Sequence, residues 1–459
     1  MNSQMPADTT KVDLLDLAEK LMKKAERGTF DQLEIFLSRE MVTSAEVEKG
    51  SVKKGERLFD MGFSSRAVRG KSVGFSHSSS LDEKDVLGVI KESITLANIV
   101  TADPDFRSLP EAEPYPNVAK SPDKHVSFID VEEAIDMAMQ VESAAHIDPR
   151  IYSINVSVDL VSAEAAVINT LGISAKDNDT LVSGSASVVS RTESEMSNGF
   201  EFQEARHTKD VDFQWIGKEA ATESIKSLGA KKISSGRLPV VFAPRGMAGI
   251  ISSGIAGASN AENIQKKRSY LTGKLGTVIG SDAVNVTDDG TLANGIATSR
   301  FDAEGAPRTR TAIVEKGILK SHLHYSYTAN KEGTQNTGNA SRGGGWDYRA
   351  SPSIGHTNLI LKPGKNDLQQ LLSEVNKGIL VLYTGDRPNL ATGELSAQVT
   401  AGFMIEKGDP SYPVKQASVG INLLDLLTRV EAIGSDSRQI SGVITPSVRI
   451  SEAMISGGT

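Results

Sequence analysis

An α+β fold is predicted for this chain of 459 residues, because its strands come in runs instead of alternating strictly with helices. Alternating apolar and polar residues fill two stretches, 32–78 and 151–196, and segments of helical periodicity flank each of them. We therefore expect an N-terminal α+β domain over 1–235, with antiparallel meanders and flanking helices. A mostly β C-terminal domain over 236–459, with a buried small-residue helix, is expected to follow.

Composition excludes several classes of protein. The chain has 50 Lys and Arg against 58 Asp and Glu, a net charge of −8 and no basic cluster, so nucleic acid is not an expected partner. No apolar run is long enough to cross a bilayer, and the N-terminus has no basic region followed by an apolar stretch. We expect a soluble, cytoplasmic protein without a membrane partner. Cysteine is absent, which excludes disulfides, thiolate nucleophiles and thiolate-ligated metals.

The N-terminal part is predicted to begin with a helix over Lys11 to Arg27, capped by Thr9 or Thr10 and followed by Gly28. Three alternating segments come next, and they predict an antiparallel meander with one face in solvent: "QLEIFLSREM", "TSAEVEKG" and "SRAVRGKSVGFSHS". Further elements are a helix opened by Ser80, a proline-rich linker over 101–125, a helix over Asp130 to Ala145, a second meander from Ile151 with a hairpin turn at "NTLG", and a helix from Phe213 that closes at Gly229.

The stretch "RGMAGIISSGIAGASNAE", which follows the apolar run "LPVVFA", predicts a buried helix. Its apolar face is formed by Met247, Ile250, Ile251, Gly254, Ile255 and Ala258. A second stripe of small residues, Gly249, Ser253 and Gly257, is expected to let a neighbouring backbone approach closely. Downstream, helices are predicted near Asp367 to Asn376 and Leu423 to Val430.

Two short motifs offer candidate chemistry, whereas no phosphate-binding loop, dinucleotide fingerprint or G-x-S-x-G elbow is present. In "SHLHY", His322 and His324 would point the same way on a strand and could present two imidazoles to a metal, or they could form the polar face of a surface strand. In "FDAEGAP", Asp302 and Glu304 could serve acid/base or metal chemistry, or lie in a solvated turn.

A long loop rich in Gly, Asn and Ser, Gly333 to Tyr348, could line a peptide or ligand groove. Arg342 would then bind carboxylates, while Trp346 and Tyr348 would stack on the ligand. The alternatives are a flexible lid and a plain connector.

Several C-terminal segments resemble the TldD and PmbA (TldE) family, known as metalloprotease subunits and earlier named modulators of DNA gyrase. They are "DAEGAPRTRTAIVEKGILKSHLHYSYTANKEG", "NTGNAS", "HTNLIL", "ATGELSAQVTAGFMIEKGDPSYPVK" and "RVEAIGSD". The order of elements in the N-terminal half looks like the same family, so the resemblance covers nearly the whole chain.

In that family the catalytic TldD subunit carries H-E-x-x-x-H on a helix after a buried strand, with a Cys near the C-terminus completing a zinc site. A gapless comparison places the two His positions on Ser252 and Gly257 and the Glu on Ser253, and no Cys stands in the equivalent of the last ligand segment, 434–448. Two His five residues apart lie about 140° apart on an ideal helix, so the zinc form is expected to need a widened or kinked helix.

This departure resembles the TldE/PmbA branch, whose members lack the metal motif and pair with TldD. The resemblance implies a non-catalytic subunit, a pseudoenzyme in a heterodimer with a TldD-like chain that holds the zinc, acting on unfolded or small peptides. It implies no cofactor in this chain, and a homodimer in the absence of the partner stays open. Its peptide groove or partner interface is expected at Asn336, Asn339, Arg342, Trp346 and Glu304, and along the strand "AQVTAGFMIE".

Two other functions remain open from the sequence. The first is a metallopeptidase in its own right with a relocated metal at His322 and His324, completed by Glu304 or Asp302. The second is a regulator or binding protein without enzymatic activity.

Overall fold

The computed structural model of the protein describes residues 12–25 and 28–458. In its N-terminal half both predicted meanders form one six-stranded antiparallel sheet, in the order β3-β2-β1-β4-β5-β6. The strands are β1 (Gln32–Glu48), β2 (Ser51–Arg69), β3 (Ser72–Ser78), β4 (Ile151–Asn169), β5 (Ser174–Arg191) and β6 (Met196–Ala205). The meanders join where β1 pairs with β4, with Leu37 opposite Ala166. The first two predicted strand segments are a single strand, β1, and "NTLG" forms the predicted turn between β4 and β5.

Four helices cover one face of this sheet: α1 (Leu14–Lys24), α2 (Glu83–Ile99), α3 (Val131–Ala144) and α4 (Phe213–Lys226). The side chain of Asp13 caps α1 by accepting from the backbone N–H groups of Leu15 and Asp16. The predicted caps Thr9 and Thr10, and the predicted helix residues Lys11, Glu26 and Arg27, lie outside the described residues. At α2 the N-cap residue is Asp82, not Ser80, whose hydroxyl donates to Asp85 instead.

The sequence predicted that the opposite face of the sheet lies in solvent. That prediction is wrong for part of the face, because the C-terminal half covers it. Residues 33–38 of β1 are all buried. Phe36 packs there with Phe301 and Tyr348, which belong to the C-terminal half. The alternation of apolar and polar residues therefore did not identify which positions of the outer face a later segment would bury.

The predicted linker has neither helix nor strand over residues 100–125, all of which are described, yet it is firmly packed. Leu109 is buried, and its N–H donates to Gln32 Oε1 at 2.8 Å. The Tyr115 hydroxyl donates to Gly305 O at 3.0 Å, and Asn294 N donates to Ala119 O at 2.9 Å. The segment thus ties the two halves of the chain together. The division into domains at residue 235 stays a prediction.

The C-terminal half contains an eight-stranded and a six-stranded sheet. The larger comprises β15 (Glu394–Gln398), β18 (Ala417–Asn422), β22 (Val448–Gly457), β7 (Gly236–Phe242), β14 (Lys377–Tyr383), β16 (Ala401–Glu406) and β17 (Asp409–Pro413) in that order, with β19 (Val430–Ile433) beside β22. The smaller comprises β10 (Ile318–Leu319), β9 (Arg310–Glu315), β8 (Val286–Asp289), β13 (Leu359–Leu361), β21 (Val443–Thr445) and β20 (Arg438–Ile440). A short pair joins β11 (Ala340–Ser341) to β12 (Ser353–Ile354). The remaining helices are α5 (Pro244–Gly249), α6 (Ala261–Gln265), α7 (Ser326–Glu332), α8 (Leu368–Ser373) and α9 (Leu423–Thr428).

The small-residue helix contacts strands of both C-terminal sheets and forms the centre of their common core. It begins as α5 and continues as a π-helical segment, Ile250–Gly257. The predicted apolar face is buried as expected. A Cβ on Gly254 would lie 2.5 Å from Leu423 Cδ1, so this glycine permits the close packing.

The second stripe does not do what the sequence predicted. Gly249 is exposed, and a Cβ built on it would meet no atom of the described residues within 4 Å. Ser253 and Gly257 are half-buried, and a Cβ on Gly257 would make ordinary contact with Leu390 at 3.5 Å. Backbones approach closely at Gly246 instead, where a Cβ would lie 2.7 Å from Val381 O. The stripe is therefore an open face of the helix.

The α+β class is confirmed by this mixture of antiparallel sheets and helices. No helix in the part of the chain that the structure describes is both long and apolar enough to cross a membrane.

Candidate functional site

A cavity of about 620 Å³ lies between the outer face of the N-terminal sheet and the C-terminal loops. Residues of β1, β2, β4 and β5 form one wall, including Glu40 and Asp60. The loops 296–299, 341–349 and 355–357 form the other wall. We call this cavity the interhalf groove.

Arg342 anchors the loop that rims the interhalf groove. Its side chain is fully buried, and its guanidinium lies over the ring of Phe36, 4.4 Å from the ring centroid. It forms an ion pair with Glu34 and donates to Ala303 O at 3.1 Å and Ala350 O at 2.9 Å. Because these protein acceptors occupy the guanidinium, Arg342 is not free to bind a ligand carboxylate as predicted. Its role is to position the loop.

Glu304 belongs to the same buried network and not to a solvated turn. Arg66 bridges two carboxylates by donating to Glu34 Oε1 at 2.9 Å and to Glu304 Oε1 at 2.8 Å. The other oxygen of Glu304 accepts from Ser326 N at 3.1 Å and Ser326 Oγ at 2.6 Å. With two carboxylates facing two guanidiniums, the network is balanced in charge and holds the two halves of the chain together.

Asp302 is buried as well, and it shapes the "FDAEGAP" turn. Its carboxylate accepts from the backbone N–H groups of Glu304, Ala306 and Ala340 at 2.9, 3.0 and 3.0 Å. Gly305 follows with φ +83°, a conformation that favours glycine. Burial and the neighbouring Glu304 raise the pKa of Asp302 to about 7. Neither Asp302 nor Glu304 is near enough to His322 and His324 to share an ion with them.

Trp346 is the aromatic ring that the interhalf groove presents. It is half-buried in the groove lining, with Lys120 Nζ 5.5 Å from its ring centroid. Lys120 lies 3.1 Å from Asp177, and burial lowers the pKa of Lys120. Tyr348 also borders the groove, but its ring is buried in the core and its hydroxyl donates to Asp60 Oδ1 at 3.3 Å.

Asn336 and Asn339 have local structural roles. Asn336 Oδ1 accepts from Gly338 N at 3.0 Å. Asn339 is buried, and its amide donates to Asp288 Oδ2 at 2.7 Å and Gly355 O at 3.0 Å. The groove lining formed by the described residues includes Arg342 and Trp346 but not Asn336, Asn339 or Glu304. The structure therefore separates residues that the sequence grouped in one site.

The π-helical segment meets the interhalf groove through a Ser–His pair. Ser252 Oγ lies 3.0 Å from Nε2 of His356, a groove residue. Nδ1 of His356 lies 3.0 Å from Thr357 O. A carbonyl oxygen only accepts, so this contact assigns the donor role to Nδ1 of His356. Sequence reasoning missed His356, whose only signal was its place at the start of "HTNLIL".

The helix geometry suits the family's zinc motif, but the side chains do not. Bonds from residue i to i+5 put more residues in each turn, so Ser252 and Gly257 fall nearer to one face than on an α-helix. The widening expected for a zinc-binding helix is thus present. However, Ser252, Ser253 and Gly257 provide no imidazole, carboxylate or thiolate, and His356 adds a single imidazole. This set does not fit a tetrahedral zinc site, and we derive no zinc chemistry at this helix.

His322 and His324 do come together with a carboxylate, but not with the predicted one. They lie in an extended segment with a single bridge, between Leu323 and Asn260, and both side chains are buried instead of lining a surface strand. Glu332, at the end of α7, faces them at 3.8 Å from His322 Nδ1 and 4.0 Å from His324 Nε2. Burial lowers the pKa of both imidazoles, to about 4 for His324. Sequence spacing could not identify Glu332, since "TANKEG" was not predicted as a helix.

Comparisons with known proteins agree with the resemblance seen in the sequence. Models of the PmbA/TldA metallopeptidase family match the chain three times: domain 1 over residues 33–97, the central domain over 124–228 and the C-terminal domain over 235–457. A metalloprotease PmbA homolog of Haemophilus influenzae is 28% identical over 402 residues, 84% of each chain. A metalloprotease TldD homolog of Buchnera aphidicola subsp. Schizaphis graminum is 23% identical over 431 residues, 90% of this chain and 87% of the relative.

The solved structure of TldE from Thermococcus kodakarensis has the same fold. It superposes with a TM-score of 0.86, covering 96% of this chain and 99% of that chain at 22% identity. The chain thus resembles a relative named TldD in sequence and a structure named TldE in fold.

Proposed function

Because the chain belongs to the PmbA/TldD metallopeptidase family, we propose that it is the non-catalytic, TldE/PmbA-type subunit of a heteromeric TldD/TldE zinc protease. In this proposal a TldD-like chain holds the zinc, and the complex cleaves unfolded or small peptides in the cytoplasm. The carrying observation is the widened helix with Ser252, Ser253 and Gly257 in place of the family's ligands and general base. The Ser252 hydroxyl and the single imidazole of His356 do not form a donor set that holds zinc and activates its bound water.

The interhalf groove is proposed to contribute to peptide binding in the complex. It combines an exposed part of the Trp346 ring with the carboxylate of Glu40, which forms no ion pair with a described residue, so an extended peptide with apolar and basic side chains fits its chemistry. The edge strand β15 has no residue in the groove lining, and we propose it as a separate place where an extended peptide binds through backbone hydrogen bonds. The open helix face at Gly249, Ser253 and Gly257 is proposed to face the partner.

Co-expression with a TldD-like chain containing H-E-x-x-x-H tests the subunit proposal. We expect both chains to co-elute on size exclusion, with peptide cleavage that a chelator abolishes and that this chain alone lacks. Cleavage by this chain alone, or failure to bind the partner, would contradict the proposal. If this chain forms a homodimer by itself, adding the TldD-like partner should convert the homodimer into the heteromeric complex.

A matched pair of variants tests the groove within the complex. Trp346→Leu should raise KM for peptide without affecting co-elution, because it removes the ring exposed in the groove. Trp215→Leu, in α4 and outside the groove, serves as the control and should leave KM unchanged. Equal effects of both changes would argue against peptide binding in the interhalf groove.

A second candidate function is catalysis by this chain with a relocated metal, which the approach of Glu332 to His322 and His324 favours. The same cleavage assay distinguishes it, since chelator-sensitive activity would then belong to the single chain and disappear in Glu332→Gln.

A further inference from the structure

Two imidazoles and a carboxylate meet where α7 packs against α6, away from the interhalf groove. His322 and His324 are 5% and 3% exposed, whereas Glu332 reaches solvent. One ligand atom from each residue lies within 4.8 Å of the other two. The groove lining, as far as the described residues form it, includes none of the three.

Three of the four ring nitrogens of these histidines lack the partners that buried polar atoms normally have. Nδ1 and Nε2 of His322 and Nδ1 of His324 make no hydrogen bond with any described residue. Glu332 faces the rings at 3.8 and 4.0 Å, which is too long for a hydrogen bond. Leaving such groups buried and unpaired destabilises the folded protein, so an unexplained group of this kind needs a partner. An ion shared by the three side chains accounts for both the burial and the spacing.

We propose that His322, His324 and Glu332 bind a divalent transition metal ion, with Zn²⁺ as the best match. Two imidazoles and one carboxylate form a donor set that zinc accepts, and water would complete a tetrahedron. Ligand atoms around tetrahedral zinc lie about 3.3–3.6 Å apart, given bonds of about 2.0–2.2 Å. Small side-chain rotations would bring the present atoms to that separation.

The surroundings support a metal site in two further ways. Gln265 Nε2, on α6, donates to Glu332 Oε2 at 3.2 Å and to Thr328 O at 2.9 Å, which orients the carboxylate as outer partners of metal ligands do. The exposure of Glu332 gives an ion a route to the buried histidines.

Metal binding at this site would hold the 101–125 segment indirectly through α7. The Tyr327 hydroxyl donates to Asp103 Oδ2 at 2.8 Å, and Lys331 Nζ lies 2.6 Å from Asp105. Fixing α7 to residues 322–324 therefore also fixes the contacts that join the two halves. Under the subunit proposal this site is structural and separate from peptide cleavage, and metal binding at it is tested independently of any cleavage assay.

Zinc titration of the metal-free, untagged full chain tests this inference. We expect one equivalent of Zn²⁺ to bind by calorimetry, to raise Tm, and to give Co²⁺ the visible absorption of a four-coordinate site. Glu332→Gln should weaken binding at least tenfold while preserving the fold, because the side chain is at the surface and an amide can still accept from Gln265. The double variant His322→Ala/His324→Ala should bind no stoichiometric metal.

His125→Ala provides the matched control, because His125 pairs with Glu133 on the surface at 3.2 Å without a second histidine. It should bind zinc as the native chain does. Absence of stoichiometric binding by the native chain, or unchanged affinity in Glu332→Gln, would overturn the proposal. If the double variant does not fold, Glu332→Gln still decides the test, because this surface variant is expected to fold.

Discussion

Replacing Arg342 by Met should strongly destabilise the protein, because this guanidinium is a buried contact between its two halves. Arg342 contacts Glu34 from the N-terminal half and Ala303 and Ala350 from the C-terminal half. Methionine fills much of the same volume, so the main loss is polar. The neighbouring Arg349 offers a control, because its side chain is 46% exposed and pairs with Asp60 at 2.7 Å.

The expected magnitude follows from the acceptors left behind. The buried carbonyl Ala303 O loses its donor, at about 1–3 kcal/mol, and the part-buried carbonyl Ala350 O loses one at a smaller cost. Glu34 keeps Arg66 as a partner, so its carboxylate is not left fully unpaired. Removing one member of a buried ion pair typically costs about 3–5 kcal/mol, and we expect Arg342→Met to fall in that range. Arg349→Met should cost at most about 1 kcal/mol.

Urea unfolding followed by circular dichroism gives the free energy of unfolding for each variant. The fluorescence of Trp346, measured with Trp215 replaced by Phe, reports the loop itself, and its emission should shift to the red in Arg342→Met as the groove opens. A double-mutant cycle with Glu34→Gln should show coupling of about 1–3 kcal/mol. The reasoning is refuted if Arg342→Met and Arg349→Met differ by less than about 1 kcal/mol.

The other predictions concern the helix and a buried carboxyl group. Gly254→Ala should cost about 1–3 kcal/mol by overpacking against Leu423, whereas Gly249→Ala, on the open face, should stabilise by up to about 1 kcal/mol; thermal unfolding that ranks them equally would contradict this packing. The pKa of Asp302 is about 7 in the folded protein and near 4 when unfolded, so the native state keeps a proton that the unfolded chain loses. The contribution of protonated Asp302 to the free energy of unfolding is therefore fully present below about pH 4. It is lost as pH rises through about 7, and the loss amounts to at most about 4 kcal/mol. Asp302→Asn removes this contribution. The difference in free energy of unfolding between the native protein and the variant, measured by urea unfolding, should therefore shrink from pH 4.5 to pH 8. A constant difference would show that Asp302 does not titrate in that range.

The sequence determined much of the local structure and the chemistry that the chain lacks. Hydrophobic periodicity predicted α3, α4 and the buried face of the small-residue helix, because burial of one face imposes that pattern wherever a helix packs. The absence of cysteine excluded thiolate ligands without any coordinates, whereas the placing of the family's zinc-ligand positions on Ser252, Ser253 and Gly257 stays a prediction. Composition alone excludes thiolate ligands, because folding brings existing side chains together and cannot add a residue type that the sequence lacks.

Tertiary structure decided which polar residues became partners. Arg342 looked like a ligand-binding residue in a loop, yet it is saturated by Glu34, which lies 308 positions earlier in the chain. Likewise, Ser252 meets His356 across 104 positions, and Glu332 joins His322 and His324 only because α7 turns back toward them. Local propensity and spacing describe neighbours along the chain, whereas burial, pairing and pKa depend on groups that the fold brings together from distant segments.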